Sequence, residues 1–533
     1  MSWREKTRSI EPAAYFLGLA MMAASLTLSP FMMSVSQFYL LAVWVFLGDP
    51  IKDKLQRFVH NRIALVLVSL YVLHLIGLAY TSDFTYALKD LRVKLPLVTF
   101  PLILSSTRPL EKRYADLLLW IYVISVVVAT GHSYSTYLRH DYNDIREIAH
   151  HISHIRLCLN IVLCIGILCY FLFSRATLWW LRAASMPLLV WFMYMLYIFE
   201  SISGYAAFVG VVIISFLYLF FTKVRSRGWK TAMILVIIVV PIVAGFLLYR
   251  FVTPMINVTP VDLNSLEKKT AQGNDYWHDT THFPVENGHY VGLYFCRPEM
   301  REAWNGRSGM DYDGLTLNGE NLEATLARYL TSKGLRKDAE GVAALDEQDI
   351  RNVEQGVANY VNWTRRGVYA RLSETLFEYG QYRRANNPNG GSLSQRLEYT
   401  KASLYLIKQH LLFGVGTGDI PNAYMTAYDE LHSPLLPQFR HKAHNQYLSI
   451  TVGFGIVGLI WFLIVLFYPY LSSRQRRTYL YTVFLVILLI SMLPEDTIES
   501  QAGVSFYAFF NSPTAFQYCM PSLVAEPSNQ IAS

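Results

Sequence analysis

The segment RHKAHNQYLSITVGFGIVG (440–458) sets Arg440, His441, Lys442 and His444 just ahead of a long apolar run. An imidazole titrates at about 6.5 and takes a proton at ambient pH, so His444 is a candidate general base. The bland alternative is interfacial anchoring, because basic and aromatic side chains gather at a membrane–water boundary in any case. That alternative covers Arg440 and Lys442 well and the pair His444-Asn445 less well, and both readings stand at this point. A second set lies in QRLEYTKASLYLIKQHLLFGVGTGD (395–419), where Arg396 and Lys401 precede the glycine-rich turn Gly414, Gly416, Gly418. No Gly-Lys-Ser/Thr follows, so the turn is not a P-loop, and its ordinary role is a chain reversal at a helix end. A third set is HHISHIRLCL (150–159), with His150, His151, His154 and Arg156 at the head of another apolar run. His150 and His154 have metal-ligand spacing, but no matching carboxylate or cysteine set accompanies them, and no metal site is assigned. Arg156 falls in the first turn of the run. A charge there costs a few kcal/mol unless it is paired or faces a wet cavity, which makes it a reasonable anion ligand.

These side chains must be held by membrane helices. The chain has 533 residues, 53% hydrophobic and only 16% charged, with a net charge of +7. A soluble domain carries roughly 25% charged residues. A span needs about 20 apolar residues. Runs near 12–29, 31–48, 63–80, 93–106, 115–134, 156–174, 178–199, 203–222, 231–252, 444–469, 478–493 and 501–517 give about twelve. The first run follows charged residues as a signal peptide's does, but it leads into the second with no clear cleavage site, so a retained helix is expected. With the N-terminus in the cytoplasm, every cytoplasmic loop is basic: Lys52, Lys54 and Arg57; Arg108, Lys112 and Arg113; Arg175 and Arg182; Lys223, Arg225, Arg227 and Lys230; Arg474, Arg476 and Arg477. The opposite loops are mixed or acidic, with Glu200, Glu495, Asp496 and Glu499. The expected fold is therefore an all-α polytopic membrane protein with both termini cytoplasmic. Its parts are an N-terminal membrane region of about nine helices (1–252), one large external loop (253–443) and a C-terminal region of about three helices (444–533).

The loop is patterned for helices over 320–335, 348–362 and 396–412, the last capped by Ser394 and ended by Gly414. RANNPNGGS (384–392) reads as a turn or linker. Tyr, Trp and His crowd 276–304, as a compact pad near the membrane would. Cys158, Cys164 and Cys169 share one apolar run while Cys296 and Cys519 stand alone, which suggests neither a disulfide framework nor a zinc site. Asn257-Val-Thr259 and Asn362-Trp-Thr364 match a glycan acceptor triplet too common to carry weight. Gly453-Phe-Gly455-Ile-Val-Gly458 matches a dinucleotide fingerprint, but it lies inside an apolar run, where close helix packing through small residues is the better reading.

Arg396, an amphipathic helix, HLLFGVGTGD, then HNQYL opening a span with GFGIVG: this order resembles the O-antigen ligase and polymerase superfamily. ENGHYVGLYFCRPEMREAWNGRS (286–308), LARYLTSKGLRKDAEGV (326–342) and EDTIESQAGVSFYAFF (495–510) look like a ligase-like branch from Gram-negative bacteria. The resemblance implies a metal-independent, inverting glycosyltransferase of about twelve helices in the inner membrane, with its large loop in the periplasm and no cofactor. The implied donor is a glycan on undecaprenyl pyrophosphate. The implied acceptor is a hydroxyl, on a lipid A core sugar for a ligase or on another glycan for a polymerase; nucleic acid has no place in it. His444 corresponds to the family histidine and Arg396 to the arginine that starts the loop helix, while Arg156, Lys401 and Arg440 are further pyrophosphate ligands on this reading. One departure stands out. Where the family often carries a second arginine, this chain reads Glu200-Ser201-Ile202-Ser203-Gly204-Tyr205. Arg156 is one substitute, a different anion site another, and lower activity a third. A ligase for another acceptor, or a transporter of lipid-linked glycans, are the competing functions; a transporter would usually show repeated halves, and no repeat is seen.

Overall fold

The computed structural model describes residues 3–139, 145–174, 177–222, 226–256, 258, 261–279, 285–361, 368–389, 391–472 and 478–512. Both acceptor triplets, Cys519, Arg175, Lys223, Arg225 and the cluster Arg474, Arg476, Arg477 include positions outside them. In chain order the helices are α1 (Trp3–Leu28), α2 (Pro30–Phe46), α3 (Ile51–His60), α4 (Arg62–Ile76), α5 (Phe84–Val93), α6 (Pro96–Ser106), α7 (Lys112–Arg139), α8 (His154–Phe173), α9 (Trp179–Phe199), α10 (Ile202–Thr222) and α11 (Arg227–Ile256). A two-residue hairpin, Val285–Glu286 against His289–Tyr290, precedes α12 (Arg297–Asn305), α13 (Leu322–Ser332), α14 (Ala339–Ala343), α15 (Glu347–Glu354) and α16 (Val368–Ala385). Then come α17 (Ser392–Gln409), α18 (Ile420–Glu430), α19 (Gln446–Ser472), α20 (Tyr479–Ser491) and α21 (Gln501–Asn511). The chain is an all-α polytopic membrane protein, as its apolar runs predict. It forms two compact units: Met1–Val224 with Tyr399–Leu431 and His441–Ser533, and Arg225–Glu398 with His432–Arg440.

Among the described residues, seven helices are long and apolar enough to cross a membrane, or eight if the bent pair α2 and α3 is one span. The expected run 31–48 is α2, which turns by 113° into α3. Lys54, expected in a solvated basic loop, is buried at that turn and donates to the carbonyls of Trp44 and Leu47 at 2.6 and 2.5 Å. It thereby places a cation at the negative end of α2. The helices on the runs 93–106, 478–493 and 501–517 are short: α6 has 11 residues, α20 has 13 and α21 has 11, with positions 513–517 of the last run outside the described residues. Eleven residues reach about 17 Å, against a hydrocarbon thickness of about 30 Å. These short helices are apolar because protein covers them. Phe100 of α6 and Phe509 of α21 meet edge-on at 5.8 Å, and both are buried. Helix α8 is likewise apolar all round and buried all round, which accounts for the free thiols of Cys158 and Cys164 in its interior.

Helix α19 is broken at Gly455 (φ 65°, ψ −167°). The amides and carbonyls freed there must find partners inside an apolar environment. The turn after α17 supplies them: Val415 N donates to Val452 O at 2.9 Å, Gly416 N to Gly453 O at 2.9 Å, and Ile456 N to Leu411 O at 2.8 Å. A Cβ on Gly414 would strike the backbone of Gly453 and Phe454, and one on Gly455 the backbone of Leu412 and Phe413. The two glycine runs, read from sequence as a chain reversal and as helix packing, are therefore two halves of one backbone joint. Thr417 Oγ1 also donates to His74 O at 2.7 Å, and Asp419 accepts the amides of Ser82 and Asp83, so the same turn closes the end of α4 and the start of α5.

In the second unit, Met300, Trp304, Tyr312, Leu322, Leu326, Leu330 and Val353 form a separate core. Asn321 caps α13 by accepting from Ala324 N, and Asp346 with Asp349 forms a reciprocal cap on α15. The expected cap of the third loop helix is corrected. Helix α17 begins at Ser392, and Ser394 inside it donates to Glu378 O at 3.1 Å.

Candidate active site

His444 sits one residue outside the cap of α19. Asn445 is that cap, since its Oδ1 accepts from Leu448 N at 3.1 Å. Its Nδ2 donates to Leu493 O at 2.9 Å, and Gln446 N donates to Met492 O at 2.9 Å. The residue before the cap takes φ 48°, a left-handed conformation that costs a non-glycine residue about 1–2 kcal/mol. Such strain persists where surrounding contacts over-determine it. The half-buried imidazole lies 5.6 Å from the ring of Tyr399 on α17 and 6.1 Å from that of His441. His441 is held in turn by Tyr428 Oη, which donates to its carbonyl at 2.6 Å.

Beside this aromatic nest lies a buried ionic cluster. Lys94 Nζ donates to Asp90 at 2.5 Å and to Glu499 at 2.8 Å. Lys442 Nζ donates to Tyr86 Oη at 2.9 Å and lies 3.9 Å from Glu499. Gln446 Nε2 reaches Glu499 Oε1 at 3.3 Å, and Ser449 Oγ donates to Asp496 at 2.7 Å. Burial works to raise the Glu499 carboxyl, but Lys94 and Lys442 outweigh it and hold Glu499 well below the usual range. Burial works to lower the Lys442 ammonium, and Glu499 outweighs that and holds it above the usual lysine range. Asp496 is pushed up, by burial first and then by Glu499.

Arg156, in the first turn of α8, lines an open cleft with Asn160, Glu495, Leu26, Ile487 and Phe506. Asn160 Nδ2 donates to Arg156 O at 2.7 Å. The lining is mostly apolar, and Glu495 and Asp496 act on the Arg156 guanidinium as opposite charges. The histidines around it separate. Helix α8 starts at His154, so His150 and His154 do not share a helical face as their spacing suggested. His154 Nε2 meets Phe199 O at 2.5 Å, His150 meets Thr136 Oγ1 at 2.7 Å, and His151 meets His132 at 3.0 Å. Among the described residues no group of three His, Cys, Asp or Glu converges for a metal ion.

His444, Lys401 and Arg156 belong to the first unit, Arg396 and Arg440 to the second. Arg440 Nε donates to Leu435 O at 3.1 Å. Arg396 and Lys401, five residues apart on α17, project about 140° apart around it, so Lys401 lies on a different side of the helix from Arg396. Lys94 and Gln446 were not singled out in the sequence, and Glu499 only as one of several outer acids. Lys94 is disguised at the start of the apolar run 93–106, and an ionisable residue there is itself the signal that could have found it.

Residues 359–463 match the family described as O-Antigen ligase, a segment that carries Arg396, Lys401, Arg440, His444 and the broken helix. No curated protein matches the chain. The family implies a ligase of the glycosyltransferase kind, with a lipid-linked glycan and a glycan acceptor as substrates in general. Through this segment the chain is similar to the O-antigen ligase superfamily, the family its motifs pointed to.

Proposed function

We propose that the protein moves a glycan from undecaprenyl pyrophosphate to a hydroxyl acceptor such as a lipid A core sugar, with inversion at C1, at the periplasmic face of the inner membrane. The observation that carries this reading is His444, held in a strained left-handed turn at the head of a membrane helix within the matched segment. His444 takes the proton of the acceptor hydroxyl, and the freed oxygen attacks C1 from the side opposite the pyrophosphate. The C1–O bond breaks and its electron pair stays on the lipid pyrophosphate. The proton on His444 then leaves to solvent. A guanidinium fork fits two phosphate oxygens and stabilises charge as it develops there. Arg396 takes that role, with Arg156, Lys401 and Arg440 as further cationic ligands, and with these cations in place the reaction needs no metal ion. The mostly apolar lining of the Arg156 cleft suits a donor whose anionic head is joined to a hydrocarbon chain. The test is the envelope glycan profile of a deletion strain. Loss of the glycan-bearing acceptor with accumulation of lipid-linked glycan is expected; an unchanged profile would contradict the proposal.

A further inference from the structure

We infer that Glu499 is a positioning residue for His444, acting through a clamp made by the loop Met492–Glu499. The inference rests on the glycosyl-transfer reading above and adds a residue that this reading does not use. His444 is the residue whose backbone is strained, and the loop grips the chain on both sides of it. Two residues before it, the Lys442 ammonium, which donates to Tyr86 Oη, lies 3.9 Å from Glu499. Two residues after it, Gln446 is fully buried and donates through Nε2 to Glu499 Oε1 at 3.3 Å, while its Oε1 accepts from Ile498 N at 2.7 Å. Asn445 and Gln446 N bond the carbonyls of Leu493 and Met492, and Ser449 bonds Asp496. Glu499 is the carboxylate that the side chains of both Lys442 and Gln446 approach, while Asp496 accepts from Asn445 and Ser449 on the later side and feels the Lys442 charge. Lys94 Nζ donates to Glu499 at 2.8 Å and separately to Asp90 at 2.5 Å, and Asp90 itself touches neither flank of His444. His74 and Tyr86 complete the polar surroundings of the cluster. A buried carboxylate with two donors, Lys94 and Gln446, and a second cation at 3.9 Å is held in place, because removing a partner leaves a buried charge uncompensated. That rigidity is transmitted to the turn that aims the imidazole.

The experiment is steady-state transfer by the purified full-length protein, with undecaprenyl-pyrophosphate-linked glycan as donor and lipid A core as acceptor. Glu499→Gln and Gln446→Met are compared with Asp90→Asn. The first two loosen the flanks of His444, whereas Asp90→Asn removes the other partner of Lys94 and leaves the clamp in place. Glu499→Gln should lower kcat at least about tenfold with donor KM within about twofold, Gln446→Met should do the same, and Asp90→Asn should lose less than about threefold. Glu499→Asp, which keeps the charge with a shorter reach, should recover part of the loss. If Glu499→Gln does not insert and fold, Gln446→Met carries the test alone, since it leaves no charge unpaired. Wild-type kcat in the clamp variants, or an equal loss in Asp90→Asn, would overturn the inference while leaving the transfer reading intact. Absence of product from the wild-type protein would overturn the transfer reading itself, and the clamp with it.

Discussion

Arg396→Lys keeps the charge and removes the planar fork. A lysine is a point charge and cannot hold two phosphate oxygens at once, so kcat for transfer should fall by at least about tenfold. Near-normal turnover would mean that Arg396 is structural or only steers the donor. A second residue gives a prediction about stability. Burial pushes the Lys337 ammonium down to about 7, with Asp338 working the other way. An unfolded lysine titrates at about 10.4. Between these values the unfolded chain binds more protons than the fold, so local stability rises with pH across that window, by a few kcal/mol in all. Below it both states are protonated and the full penalty is present. The amides of Lys337 and Cys296, which bond Tyr294 O and Lys337 O, report on the site. Their hydrogen exchange, corrected for the intrinsic rate, should slow from pH 7 to pH 10. Lys337→Met should be protected at pH 7 and show no such trend; the same trend in both proteins would contradict this account. His444 stands out in the sequence as a candidate base by residue type and position, and its role comes from the resemblance. Lys337 does not stand out, because nothing in the sequence says that this loop lysine is covered.

At the scale of elements, long spans were legible because a membrane imposes a long apolar run, and α4, α7, α8, α9, α10 and α19 fall on the runs expected for them. The lengths of α6, α20 and α21 were not legible, because burial in protein and burial in lipid call for the same side chains and an apolar run does not fix where its helix ends. The joint between the turn after α17 and the break in α19 was not legible either. Its two halves lie about forty residues apart, and backbone hydrogen bonds leave no mark on side-chain pattern. What the sequence did record is glycine at 414 and 455, both at positive φ. Gly455→Ala should therefore lower the thermal midpoint in detergent by several degrees and impair transfer, since the new Cβ meets the backbone of Leu412 in a conformation L-residues avoid. Gly245→Ala on α11, where a Cβ meets nothing within 4 Å, is the control and should be neutral or slightly stabilising. Equal midpoints for wild type and Gly455→Ala would mean that the joint bears no strain.

For the whole molecule, the bias of basic residues predicts that α11 carries the chain from the cytoplasmic side to the other. Reporter fusions near Arg227 and near Asn257 should accordingly report opposite sides, and the same side for both would sink the topology. The side on which Asn257 lies fixes where the donor and acceptor must be met. The central claim is that this protein transfers a lipid-linked glycan by base catalysis from His444. It is tested most directly with purified protein in proteoliposomes, donor on undecaprenyl pyrophosphate, acceptor core sugar and excess EDTA. The wild type should form product. His444→Ala should remain folded, bind donor as the wild type does and form product slower by about 10²–10⁴-fold, the contribution of a general base. Transfer by His444→Ala at the wild-type rate, or wild-type transfer that EDTA abolishes and magnesium restores, would contradict it.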